Sequence, residues 1–311
     1  MTPREIIAEA WAITGREQSL RRWGFTSSLF ETLLNLKLVV YQVYFFYEFV
    51  FRGGAPGFFD VEIAIYHALP FWGFLTIIII FILMVVIEFF MPSLCLGAII
   101  GLAAKSFRKE EVKGGLVLGI YNFFPLFAAR ELFVFSRITT TITVVSLILR
   151  YVDDPLKMPA VIAVIGLWLL SSVLRFFSSF AEEAIVIRKT PLFTAIGRSF
   201  KMLLSNLSHV MFLILLLLVI SVRIVINAIM VLIIPSVVIG LAFLLANFLS
   251  NEVSYTIAGI VGVALVLIAS YFFAYLHVFK QTVWTITYMI FSEKKDLDII
   301  VADEGGGTGE E

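Results

Sequence analysis

Apolar residues in this chain come in runs far longer than a soluble helix or strand requires, separated by short polar intervals that carry most of the charge. Residues 30–51, 70–104, 132–149, 159–187, 207–249 and 253–291 form such runs, and a helix needs about 20 mainly apolar residues to cross the ~30 Å hydrocarbon core of a bilayer. The pattern therefore predicts an all-α, polytopic integral membrane protein with about six transmembrane helices. Run 70–104 exceeds one crossing, so it is expected to tilt, bend near Pro92 or project past the headgroups. Run 207–249 would extend roughly 65 Å at 1.5 Å per residue. A break at Pro235 is expected there, and the run crosses either once or twice.

The polar intervals predict short amphipathic helices. Within residues 3–14, Ile6, Ile7, Ala10, Trp11 and Ile13 share one side while Arg4, Glu5, Glu9 and Arg16 lie near it, as in a helix resting at a membrane interface. Residues 114–129, interrupted by Asn122 and Pro125, form a second such elbow, and Pro191 opens a third. Basic residues gather beside these elbows: Arg4, Arg16, Arg21 and Arg22, then Lys105, Arg108, Lys109 and Lys113, then Arg188, Lys189, Arg198 and Lys201, and finally Lys294 and Lys295. The alternate loops hold only Arg52 and Lys157. By the positive-inside rule the elbows and both termini are cytoplasmic, in the cell (plasma or inner) membrane, which requires an even number of crossings. Phe89-Phe90, Phe176-Phe177 and Phe272-Phe273 fall 19, 17 and 19 residues after Pro70, Pro159 and Val253. Together with the elbows they predict a threefold repeat of about 1–104, 105–189 and 190–292. With 31 Phe residues, chance pairs are the competing explanation.

Composition strengthens the membrane assignment. Hydrophobic residues make up 60% of the chain, charged residues only 15%, and mean hydropathy is +1.01, beyond what the core of a soluble domain absorbs. Residues 1–23 mix Arg and Glu with apolar positions and do not read as a cleaved secretory signal. The single cysteine, Cys95, excludes an intrachain disulfide and a thiolate metal cluster. Residues 1–292 are thus expected to form one transmembrane domain, followed by a disordered, acidic, Gly-rich cytoplasmic tail at 293–311.

The stretch Ala184-Ile185-Val186 with Arg188-Lys189, then Ala195-Ile196, Arg198-Ser199-Phe200, Asn206 and a long apolar run, resembles the membrane domain of some glycerophosphoryl diester phosphodiesterases and of free-standing bacterial membrane proteins. Thr285-Ile286-Thr287-Tyr288 before Lys294 resembles that family's end, so the likeness covers about residues 110–295. In the phosphodiesterases a separate soluble metal-dependent domain does the chemistry, and this chain has no stretch that would host one. The resemblance implies a membrane module without hydrolysis.

No catalytic motif appears: there is no His-Glu-x-x-His, no Gly-x-Ser-x-Gly and no phosphate-binding Gly-rich loop. His67, His209 and His277 belong to different segments, and Asp153-Asp154 precedes Pro155 in what reads as an ordinary turn. Charges inside spans carry the remaining functional signal. Glu88 and Arg175 each stand just before a Phe-Phe pair and are expected at similar depth, as an ion pair, as interface groups or, for Glu88, in transport. Arg137, Arg223 and Lys280 also lie in spans, Arg223 near the outer face. Arg21, Arg22, Lys105, Arg108 and Lys109 either bind anionic lipid headgroups, each contributing about 1 kcal/mol, or only orient the elbows. No catalytic residue, metal or cofactor is expected. Partners are expected to be the lipid bilayer, its anionic headgroups and a membrane-protein partner, and not nucleic acid. The favoured function is a non-enzymatic scaffold, accessory or lipid-organising module; the alternative is a small transporter or a lipid or peptide exporter.

Overall fold

A computed structural model describes residues 1–51, 53, 57 and 59–305. Every regular element among them is helical. In chain order these are α1 (Pro3–Arg16), α2 (Gln18–Phe51), α3 (Asp60–Ala68), α4 (Phe71–Phe107), α5 (Gly115–Leu132), a single 3-10 turn (Val134–Ser136), α6 (Ile138–Tyr151), α7 (Asp154–Phe177), α8 (Ala181–Arg188), α9 (Leu192–Ser205), α10 (Leu207–Ala246) and α11 (Asn251–Gly305). Among the described residues, the helices Gln18–Phe49, Phe71–Phe107, Asp154–Phe177 and Asn251–Glu293 are long and apolar enough to cross a membrane. A fifth joins them if Leu192–Ser205 and Leu207–Leu218, bent by 93° at Asn206, are taken as one span.

Several boundaries differ from the sequence expectation. Run 132–149 is not one helix: α5 ends at Leu132, the 3-10 turn intervenes, and α6 has 14 residues, about 21 Å. Run 159–187 divides at Phe177, because the chain turns through Ser178 and Phe180 before α8 begins. The expected break at Pro235 is absent, and α10 runs through that position as one helix of 40 residues. The tail is helical as far as Gly305, since residues 293–304 contain neither Gly nor Pro and include several good helix formers. Residues 306–311 lie outside the described residues, as does most of the turn after Arg52, with Arg52 itself.

The chain divides into two compact units: Met1–Leu29 with Ser93–Arg130 and Phe176–Glu311, and Phe30–Pro92 with Glu131–Arg175. The first unit has a dense interior. The α1 helix is started by a capping box in which Thr2 and Glu5 satisfy each other's backbone N–H groups, with Pro3 at the first helical position. Its buried Ile6, Ala10 and Ile13 pack with Ile99 and Leu102 of α4, Leu213 of α10 and Val278 and Phe279 of α11. A second cluster surrounds the fully buried Phe180, whose ring meets Trp284 and Phe291 edge to face. Helices α10 and α11 are joined by a short turn and pack as an antiparallel pair, with Gly262 against Val238.

Two Gly-x-x-x-Gly sequences, Gly97 to Gly101 on α4 and Gly115 to Gly119 on α5, face each other. A Cβ on Gly119 would stand 2.7 Å from the Leu94 carbonyl oxygen, and one on Gly97 3.2 Å from that of Leu118. Only hydrogen fits, so the backbones touch, the arrangement by which helices associate where lipid removes the hydrophobic incentive. One side chain secures the joint between α7 and α8. The Ser199 hydroxyl on α9 donates to the Phe177 carbonyl at 2.8 Å and accepts the Phe180 N–H at 3.0 Å, satisfying groups that helix ends leave open. Lys189, in the left-handed region at φ 50°, then closes α8.

The second unit combines an apolar exterior with a buried charge. Val43, Phe46, Ile79, Ile82, Leu83, Ile142, Ile162 and Leu169 are exposed, whereas Glu88 is buried completely. Apolar exteriors around polar contacts suit hydrocarbon, where polar groups find no water.

Candidate functional site

Lys37, Tyr41 and Phe45 succeed one another at intervals of four on α2, so they form one stripe along the helix. Each receives a polar partner from a different element of the second unit. The Lys37 ammonium donates to both carboxylate oxygens of Glu88 on α4, at 2.7 and 2.9 Å, and lies 5.5 Å from the Phe81 ring centre. Tyr41 donates its hydroxyl to Glu62 of α3 at 3.2 Å. Above Phe45 lies the Arg150 guanidinium of α6, 4.0 Å from the ring centre. The Glu88 side chain has no exposed surface and Lys37 keeps 27% of its own. Charge separation in an apolar interior is tolerated only with such pairing.

Arg150 is held on several sides. Its Nε donates to the Ser146 carbonyl at 3.0 Å and its Nη2 to the Ser146 hydroxyl at 2.8 Å, while Nη1 is buried with no hydrogen-bond partner among the described residues. From Arg150 a groove of about 640 Å³ runs along α2 and α6, bounded by residues between 38 and 49 and between 139 and 150. Two of its hydroxyl groups are spent locally: Thr141 donates to the carbonyls of Phe135 and Arg137, and Thr143 to that of Thr139.

The residues singled out in the sequence fall as follows. Glu88 meets Lys37, and the half-buried Arg175 closes α7 in the same unit. Arg137 bonds Glu131 at 2.7 Å. Lys280 is exposed on α11, and the Arg223 side chain lies outside the described residues. Lys105, Arg108 and Lys109 gather at the end of α4, where Lys105 donates to the Lys113 carbonyl at 3.0 Å. Arg21 is half-buried and Arg22 exposed on α2. The surface at the end of α4 is of mixed sign, because Glu9, Glu17 and Glu110 line one polar pocket with Arg16, Ser106 and Lys109. Nearby Lys113 pairs with Glu111, and this hydrogen bond holds the carboxyl below, and the ammonium above, its ordinary range.

In the first unit Gln281 of α11 donates to Glu183 of α8 at 2.7 Å, both buried. His67, His209 and His277 stand on α3, α10 and α11, and no three His, Cys, Asp or Glu side chains among the described residues are grouped to hold a metal ion. Sequence reasoning missed Lys37, though two signals would have found it. It is the sole basic residue of run 30–51, and its 14 residues to Phe51 and the 18 from Pro70 to Glu88 are similar depths, about 21 and 27 Å, measured from the same side of a helical hairpin. No protein-family model, curated protein or solved structure matches the chain.

Proposed function

We propose that this chain is a non-enzymatic, multi-pass module of the cell membrane that organises lipid or supports a membrane-protein partner. The observation that carries the reading is the commitment of Glu88, both of whose oxygens are bonded by Lys37 inside an apolar unit. An acid that carries protons or cargo must exchange its partner during the cycle. A carboxylate bonded twice by one ammonium serves instead to join α2 to α4. The exposed apolar side chains around it give the unit a surface suited to lipid.

Six crossings with cytoplasmic termini and elbows belong to the same proposal, supported by the basic residues at 105–113 and 188–201 and at both ends. So does kinship with the phosphodiesterase membrane domain, because Ser199, which fastens the α7–α8 joint, lies within the stretch that carries that likeness. Native mass spectrometry of the detergent-extracted chain after crosslinking tests the reading: bound phospholipid or a stoichiometric protein partner is expected, retained in Glu88→Gln. A chain that releases every lipid and protein in mild detergent overturns it. The second reading, a small transporter, is favoured by the complete burial of Glu88. Flux in proteoliposomes that disappears in Glu88→Ala, with the protein still folded, would establish it.

A further inference from the structure

We propose that the groove along α2 and α6 binds one phospholipid, with an acyl chain along the groove and the phosphate on Arg150; this rests on the lipid-organising reading above. Each wall spans about 12 residues, from 38 to 49 and from 139 to 150, which is roughly 17 Å. That is a little over half of the ~30 Å hydrocarbon core, the depth of one leaflet. Leu38, Val43, Phe46, Ile142 and Leu149 line it. With Thr141 and Thr143 bonded to their own backbone, the walls are mostly apolar towards a hydrocarbon chain, Gln42 and Thr139 being the other neutral polar residues beside Ser146. The volume, about 640 Å³, falls in the range of sites for molecules of lipid-chain size.

The end of the groove supplies what hydrocarbon lacks. Arg150 is the penultimate residue of α6, and its guanidinium is always charged. Two of its nitrogens are fixed by Ser146 and its Cζ lies 4.0 Å from the Phe45 ring centre, so little side-chain freedom remains to be lost on binding. Nη1 is buried without an acceptor among the described residues, but Arg150 as a whole is only half-buried and Nη2 spends one of its two N–H groups on Ser146; a phosphate is rich in acceptors and suits a guanidinium. The charges decide between occupants. No Asp or Glu lines the groove, so a second copy presenting this same face would bring no anion to Arg150. A phosphodiester brings one with its chains attached.

The test uses the full-length chain in nanodiscs and two probes with identical diazirine-bearing acyl chains, a phosphatidylglycerol and a diacylglycerol. Photolabelling of peptides covering 38–49 and 139–150 is expected to favour the phospholipid about tenfold, the worth of one charged hydrogen-bonded contact. In Arg150→Gln the preference should fall to near one, while labelling of the bilayer-facing residues 77–84 stays unchanged. Excess unlabelled phosphatidylglycerol, competing on the unaltered chain, should abolish the groove label and spare that control, which keeps the test independent of how the variant folds. Equal labelling by both probes, an unchanged preference in Arg150→Gln, or groove crosslinks chiefly between two copies would overturn the site. Lipid retained elsewhere on the chain would then leave the module reading standing.

Discussion

At the scale of single residues, the two halves of the Lys37–Glu88 pair are not equivalent, because Glu88 is wholly buried and Lys37 is 27% exposed. Removing the acid leaves a long ammonium that extends towards the interface and keeps its hydration. Removing the base leaves a carboxylate stranded in apolar surroundings. Lys37→Met is therefore expected to destabilise the chain by about 3 kcal/mol, and Glu88→Gln by about 1 kcal/mol. The double substitution Lys37→Met with Glu88→Met should recover most of the larger loss, a coupling read from thermal denaturation of the four proteins in one detergent. Equal costs for the two single substitutions would show that the burial difference does not govern the pair. The acid is legible in the sequence as a charge within an apolar run, whereas its partner is legible only as the one basic residue of run 30–51 at a comparable depth. Arg175 shares a Phe-Phe context with Glu88 in the sequence, and depth along a hairpin is the quantity that brings Lys37 to the acid. Arg150 was missed for another reason: it lies at a run's edge, where a basic residue looks like ordinary solvent-facing punctuation, and only folding brings its guanidinium over Phe45.

At the scale of helices, apolar run length predicted where helices lie, and backbone packing decided where they stop and touch. The division at Phe177 depends on a hydroxyl from α9, Ser199, which is a contact between segments and leaves no local signature. Pro235 shows the converse, since the local rule predicts a break and α10 passes through the position. Close approach of α4 and α5 was written in the spacing of Gly97, Gly101, Gly115 and Gly119, a pattern that stands out only when two such sequences are seen to meet. Gly119→Ala is expected to lower stability by about 1–3 kcal/mol, as overpacking does, because its Cβ would stand 2.7 Å from the Leu94 oxygen. Gly166→Ala provides the contrast. Inside α7 a Cβ at that position meets nothing within 4 Å, so the same change should leave the midpoint unaltered or raise it through helix propensity, by up to about 1 kcal/mol. Apparent unfolding temperatures in detergent measure both, and a fall of similar size at the two positions would remove the case for backbone contact between α4 and α5.

For the molecule as a whole, the orientation proposed from charge is measurable through its single cysteine. Cys95 is the single cysteine and has no exposed surface, so the folded protein should be inert to a thiol reagent and cysteines introduced one at a time report their own surroundings. Lys113 is exposed in the basic loop after α4, and Asp153 is exposed in the turn between α6 and α7. The energetic basis is the cost of carrying Lys and Arg across the membrane during insertion, which retains basic loops on the cytoplasmic side. An impermeant maleimide applied to intact cells should therefore label Asp153→Cys and spare Lys113→Cys, which reacts only after the membrane is opened. Asp153 adjoins Arg150 in the sequence, so labelling it from outside would also assign the head of the α2–α6 groove to the outer leaflet. The reverse pattern would put Arg150 against the cytoplasmic leaflet and invert the proposed orientation. Labelling of both positions from outside would mean that the loop between α4 and α5 does not stay with the cytoplasmic charges, and the even count of crossings argued from those charges would fall with it.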